Sequence, residues 1–175
     1  MEELLDSYIY YLKVERDFSP FTLRNYSSDI LGFFNFLKME QIESLKDVDH
    51  DTIRLYLGQI LESGLARTSI SRKVSSLRSF FRYLYFQGVI GLDPLVKLSA
   101  PKREKRLPSF LTAEDMINLL NAPKKTTPHG LRDLAILELL YASGLRISEI
   151  ASLDLQNVDL TTKQVRVMGK GSKER

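Results

Sequence analysis

The sequence predicts a mainly α protein: a bundle of four helices, then a second unit of helices that ends in a β-hairpin. Three observations predict it. Apolar residues recur at helical spacing in four successive stretches of the first ninety or so positions. A basic run bracketed by two prolines, residues 100–108, then breaks the periodicity. Near the end the period shortens to two in Gln164-Val-Arg-Val-Met168, as a half-buried strand requires.

The first helix is expected over residues 2–14, with Leu4, Leu5, Tyr8, Tyr11 and Leu12 on one face. Ser19-Pro20 supplies an N-cap followed by proline at the first helical position. The helix it opens carries Leu23, Tyr26, Ile30, Phe33, Phe34 and Leu37. A third helix begins near Asp51, carries Ile53, Tyr56, Leu57, Ile60 and Leu61, and ends before Gly64. A fourth runs from Thr68 or Ser69 to about Tyr85, before Gly88. Asp93-Pro94 begins a short turn. Short connections between four helices favour a compact bundle over residues 1–99.

Residues 100–108 read as an interdomain linker, carrying Lys102, Arg103, Lys105 and Arg106 against Glu104 alone. The second unit, 109–175, opens on a capping box, Thr112 with Asp115, and a short helix through Leu120. Residues 131–141 form a helix with so little polar face that burial is expected. Ser143-Gly144 ends it, and 146–153 is another short helix. The strand at 164–168 turns through Gly169-Lys-Gly-Ser172 into a return strand beginning at Lys173.

Composition narrows the function classes. The chain is 43% hydrophobic and 27% charged, which places it among folded proteins rather than disordered ones. No apolar run approaches the ~20 residues of a membrane span. There are no cysteines, so disulfides and thiolate metal sites are out, and a reducing, cytoplasmic setting is expected. His50 and His129 are the only histidines and stand far apart, so no metal site is expected. No membrane partner and no cofactor are expected.

The net charge of +3 says little, but its distribution says more. No acid occurs between Glu62 and Asp93, while Arg67, Arg72, Lys73, Arg78 and Arg82 all do. At about 100° per residue, Ile70, Val74, Leu77, Phe81 and Leu84 form one apolar stripe. Ser71, Arg72, Ser75, Arg78, Ser79 and Arg82 take the outer arc, with Lys73 beside the stripe. Arginine forks and serine hydroxyls are suitable phosphate ligands, so this helix is the candidate nucleic-acid contact. The same face also reads as an ordinary solvated surface, although such surfaces usually mix acids among the bases.

Arg146 follows a glycine turn at the start of a helix, where an arginine suits an anion. Glu149 lies one turn on, placed to hold the guanidinium or a neighbouring base. An ordinary salt-bridged helix start, or part of a helix-turn-helix, fits this stretch as well. Lys170 projects from a turn between two glycines, as many exposed hairpin lysines do. The turn has no Gly-x-x-x-x-Gly-Lys pattern and is not a P-loop.

Taken together, Leu139-Leu-Tyr-Ala-Ser-Gly-Leu-Arg-Ile-Ser-Glu-Ile150 and Val165-Arg-Val-Met-Gly-Lys-Gly-Ser-Lys-Glu-Arg175 closely resemble the bacterial Xer-type tyrosine recombinases, the XerC/XerD branch of the phage-integrase family. The earlier stretches Leu12-Lys-Val-Glu-Arg, Ser19-Pro-Phe-Thr, Thr68-Ser-Ile-Ser-Arg-Lys-Val-Ser-Ser-Leu-Arg-Ser-Phe-Phe, Asp93-Pro-Leu and Leu107-Pro108 fit as well, so the resemblance spans the chain. It implies a SAM-like core-binding domain in the four-helix part and the start of an α+β catalytic domain from about residue 109. The two would clamp duplex DNA.

In that family a tyrosine attacks the scissile phosphate, forms a 3′-phosphotyrosyl link and releases a 5′-hydroxyl. By resemblance, Arg146 is the first catalytic arginine, Lys170 the hairpin lysine and Glu149 an accessory acid. The family's His-x-x-Arg pair, its later His or Trp and its tyrosine lie beyond the hairpin. The chain is therefore expected to bind DNA without completing cleavage. The resemblance further implies a second recombinase subunit, a cell-division DNA translocase as partner, and a role in chromosome-dimer resolution. Two other readings stand beside it. A non-catalytic DNA-binding regulator would change its base preference on Arg146→Ala. A protein-interaction bundle would keep its DNA affinity unchanged on losing Arg72, Arg78 and Arg82.

Overall fold

The structure, a computed structural model, describes residues 1–96, 98, 109–169 and 174. The expected linker at 100–108 and Lys170 lie outside the described residues. The chain divides into two compact units, Met1–Lys105 and Arg106–Arg175.

The first unit is built from α1 (Glu2–Val14), α2 (Pro20–Met39), α3 (His50–Glu62) and α4 (Arg67–Phe86). Local chemistry sets their starts. The Ser19 hydroxyl accepts from the Thr22 N–H at 3.4 Å, and Pro20 follows with its φ already helical. Asp49 Oδ1 accepts from the Thr52 N–H at 2.8 Å, so α3 begins one residue before the expected Asp51. The Thr52 hydroxyl donates to the same oxygen at 2.7 Å, and these two bonds from Thr52 hold the Asp49 carboxyl below its ordinary range. α2 packs on α1 and α4, and α3 packs on α4.

The core is aromatic. Tyr8, Phe33, Phe80 and Phe81 are fully buried, with Leu12, Ile30, Leu37, Ile53, Leu77 and Leu84 around them. The rings meet at edges and tilts: Phe33 stands 5.1 Å from Tyr56 and 5.8 Å from Phe81, and Tyr8 stands 5.2 Å from Phe80. The expected stripe of Ile70, Val74, Leu77, Phe81 and Leu84 is buried throughout. The buried arc of α4 is wider than that stripe and also takes in Phe80, Ser71 and Ser76, because α4 is packed from two sides.

The second unit holds α5 (Ala113–Asn121), α6 (Pro128–Ser143) and α7 (Ile147–Ala151), then a 3-10 turn at Leu155–Asn157. The capping box at α5 forms as expected: the Asp115 N–H donates to Thr112 Oγ1 at 3.1 Å, and the Thr112 N–H donates to Asp115 Oδ2 at 3.2 Å. α6 starts three residues before the expected Leu131, on a Thr127 cap with Pro128 at its first position. It ends at Gly144, whose φ of 62° is the left-handed conformation that glycine adopts freely.

Two expectations need correction. Among the described residues of α6, only Gly130 is buried; Leu131 and Tyr141 are exposed. The reason is coverage: α6 has 16 residues, and its helical neighbours α5 and α7 have 9 and 5. The second correction concerns the strands. β2 (Gln164–Val165) pairs antiparallel with an unexpected preceding strand, β1 (Val158–Asp159), with Val158 opposite Val165. Toward the chain end the described pairing is a single antiparallel bridge between Met168 and Glu174. The 158–159 stretch is too short to show alternation, so sequence reasoning passed over it.

Candidate functional site

In the first unit the candidate face lies on α4. The helix has no acid in its first turn. Ser75 and Arg82 are exposed, and Arg78 and Ser79 are half-buried. These four residues line a groove of about 420 Å³ together with Arg16 and Phe86. Phe86 carries the Arg82 guanidinium 5.5 Å from its ring centroid. Arg78 Nη2 donates to the Leu98 carbonyl at 2.8 Å, which fixes its reach. Arg16, just past the end of α1, is exposed, and sequence reasoning missed it. Its neighbours Glu15 and Asp17 hid it from any search for runs of like charge.

The other sequence candidates sit differently. Ser71 was placed on the outer arc, but the structure buries it, because the packed arc of α4 reaches that far. Arg72 and Lys73 meet an acid that the helix itself does not contain. Asp29 of α2 forms an ion pair with Arg72 and stands 3.4 Å from the Lys73 ammonium. The outer face of α4 therefore has a buried acid at one end and an open arginine groove at the other.

In the second unit Arg146 is the N-cap of α7. Glu149 holds it twice: the Arg146 backbone N–H donates to Oε2 at 2.8 Å, and Nη1 donates to Oε1 at 2.9 Å. The carboxylate is 9% exposed and the arginine side chain 64%. An immobilised acid thus grips one edge of a guanidinium that remains open to solvent. Glu149 also borders a hollow of about 350 Å³ with Ser152, Asn157, Arg166, Met168 and Glu174. Arg166 lies 3.9 Å from Glu174 across the Met168–Glu174 bridge. The two bridge partners stand on either side of Lys170 in the sequence, and Lys170 itself lies outside the described residues. Among the described residues no group of three or more His, Cys, Asp or Glu is placed to hold a metal, and no helix is long and apolar enough to cross a membrane.

Two family models match the chain. Residues 5–88 match the N-terminal SAM-like domain of phage integrases, and residues 109–175 match the phage integrase family. The chain belongs to the phage integrase family. Tyrosine recombinase XerC of Oceanobacillus iheyensis is 39% identical over 175 residues, which cover 100% of this chain and 57% of that protein. Tyrosine recombinase XerC of Staphylococcus haemolyticus is 42% identical over 175 residues, covering 100% and 59%. The chain thus spans well under two thirds of the length of these integrase-family relatives.

Solved structures agree on the fold. A lambda integrase dimer bound to a COC′ core site superposes with a TM-score of 0.77 at 23% identity, covering 100% of this chain and 58% of that one. XerH bound to a palindromic difH substrate, a post-cleavage complex, gives 0.68 at 19% identity, covering 91% and 49%.

Proposed function

We propose that this chain is the DNA-gripping front part of a site-specific tyrosine recombinase of the Xer type. Residues 1–99 form the core-binding domain, 100–108 the basic linker and 109–175 the beginning of the catalytic domain. The observation that carries this reading is Arg146: an exposed guanidinium pinned by a buried glutamate, in a chain 39% identical over its whole length to a protein named tyrosine recombinase XerC.

The chemistry is what the family resemblance implies for these residues. Arg146 neutralises charge as it grows on the phosphoryl oxygens, where a preorganised donor is worth most. Glu149 holds that arginine in place. Lys170 protonates the leaving 5′ oxygen as general acid. A tyrosine nucleophile, which the resemblance places beyond residue 175, forms the 3′-phosphotyrosyl link and conserves bond energy for rejoining without ATP. Arg78, Arg82, Ser75 and Ser79 hold the DNA backbone, joined by Arg72, Lys73 and Ser71 where they reach it.

The 175 residues bind duplex DNA without forming a covalent adduct. The whole protein works in the cytoplasm with a second recombinase subunit and a cell-division DNA translocase, in chromosome-dimer resolution, and needs no cofactor.

The test is DNA affinity of this chain across a salt series, on a duplex carrying a Xer-type half-site and on a scrambled duplex. The half-site should win by about tenfold or more, with affinity falling steeply as salt rises. Equal, salt-insensitive affinity, or a covalent adduct formed by this chain alone, defeats the reading.

A further inference from the structure

Asp29 is the most deeply buried carboxylate among the described residues, at 1% exposure in the middle of α2. A lone buried carboxylate is costly unless charges and donors surround it. α4 supplies them. Arg72 Nη1 forms the ion pair, the Lys73 ammonium stands 3.4 Å away and the Ser76 hydroxyl donates to Oδ2 at 2.8 Å. Ser76 is itself fully buried, and the Lys73 side chain is only 17% exposed.

Arg72 differs from both. Its side chain is 40% exposed, and among the described residues its hydrogen bonds run through Nη1, to Asp29 and to the Asn25 carbonyl at 3.4 Å. A guanidinium has five N–H donors in one rigid plane. Fixing Nη1 therefore fixes the plane and leaves the other donors for a ligand.

We propose that Asp29 is a positioning residue for DNA contact: its buried carboxylate holds the Arg72 guanidinium by one edge, so that the free donors of Arg72 meet a backbone phosphate already oriented. The proposal rests on the DNA-binding reading above and adds a residue that touches no DNA. It has a consequence opposite to simple charge counting. Removing an acid from beside a polyanion should tighten binding through charge alone. Removing the anchor should weaken it, because Arg72 then loses its orientation before it binds.

The experiment measures half-site affinity of the full 175-residue chain over a salt series, with melting curves, for the parent, D29N, R72K, R72Q and the double variant D29N/R72Q. The parent should bind. D29N and R72K should each bind about tenfold more weakly at low salt, and R72Q, which removes the charge as well, should also make the salt slope shallower by about one. D29N/R72Q should bind no more weakly than R72Q, since Asp29 acts through Arg72. A purely structural role would lower the melting temperature of D29N and leave the affinity of the folded variant at the parent's. D29N binding as tightly as the parent, or more tightly, overturns the proposal. Should D29N fail to fold, R72K decides: it keeps the charge and the Asp29 pairing but loses the planar fork, so parent-like affinity overturns the proposal as well. A parent chain that binds no DNA takes down the underlying reading too, which separates the two failures.

Discussion

The two units bury their apolar residues very differently. In the first, four helices enclose Tyr8, Phe33, Phe80 and Phe81 completely. In the second, the buried large apolar residues among those described are Leu145 and Val167, both from connections rather than helices, while α5 has no buried residue. Yet α6 is one of the most apolar stretches of the chain. The contrast teaches that apolar composition does not make a core. Burial needs partners at the right distance, and α2 and α4 provide each other with 20-residue faces that α5 and α7 cannot match. The candidate sites follow the same division: the α4 groove stands on a packed bundle, while Arg146 is held by a short-range pair with Glu149.

The sharpest way to break this comparison is a matched pair of truncations. Phe81→Ala, in the packed core, should cost about 3–5 kcal/mol, and Leu137→Ala, on half-buried α6, under about 2. Denaturant unfolding measures both, and equal losses would show that the second unit is as tightly packed as the first.

Gly130→Ala comes next. A Cβ there would lie 1.8 Å from the Lys124 carbonyl oxygen, so the backbone before α6 must move. We expect a loss of roughly 2–3 kcal/mol confined to the second unit, read by hydrogen exchange of 109–169 against 1–96. Exchange that speeds up equally in both units would contradict the division.

A third expectation concerns alkaline pH. Burial, with the Asp29 charge as a smaller cause, raises the Tyr56 phenol from 10.0 to about 12. The neutral phenol is favoured in the fold, so this contribution is complete below pH 10 and fades as the pH climbs from there through about 12. Tyr8 is raised as well, mainly by burial. Tyrosinate absorbance above pH 10 should therefore rise together with unfolding of the first unit, and Tyr56→Phe should remove part of that sensitivity.

The smallest effect is expected at the α5 cap. Thr112→Ala should cost about 1 kcal/mol, without disturbing the first unit. The Asp115 carboxyl is lowered by its Thr112 hydrogen bonds, so the cap's contribution is present above the ordinary carboxylate range and lost as pH falls through the lowered value. A melting curve of the second unit that does not change between pH 5 and strongly acid solution would remove the cap from the account.

What the sequence by itself determined was short in range. The Ser19-Pro20 and Thr112/Asp115 starts, the glycine end of α6, the α4 stripe and the Arg146–Glu149 pair all depend on residues within about one helical turn of one another. Such interactions are legible because helical geometry converts spacing directly into proximity. Only the tertiary structure decided the burial of Ser71, the exposure along α6 and the meeting of Arg72 with Asp29, 43 residues away. No period in the sequence relates α2 to α4. Their facing side chains are set by how two helices pack, and that packing placed an acid beside a helix whose own residues contain none.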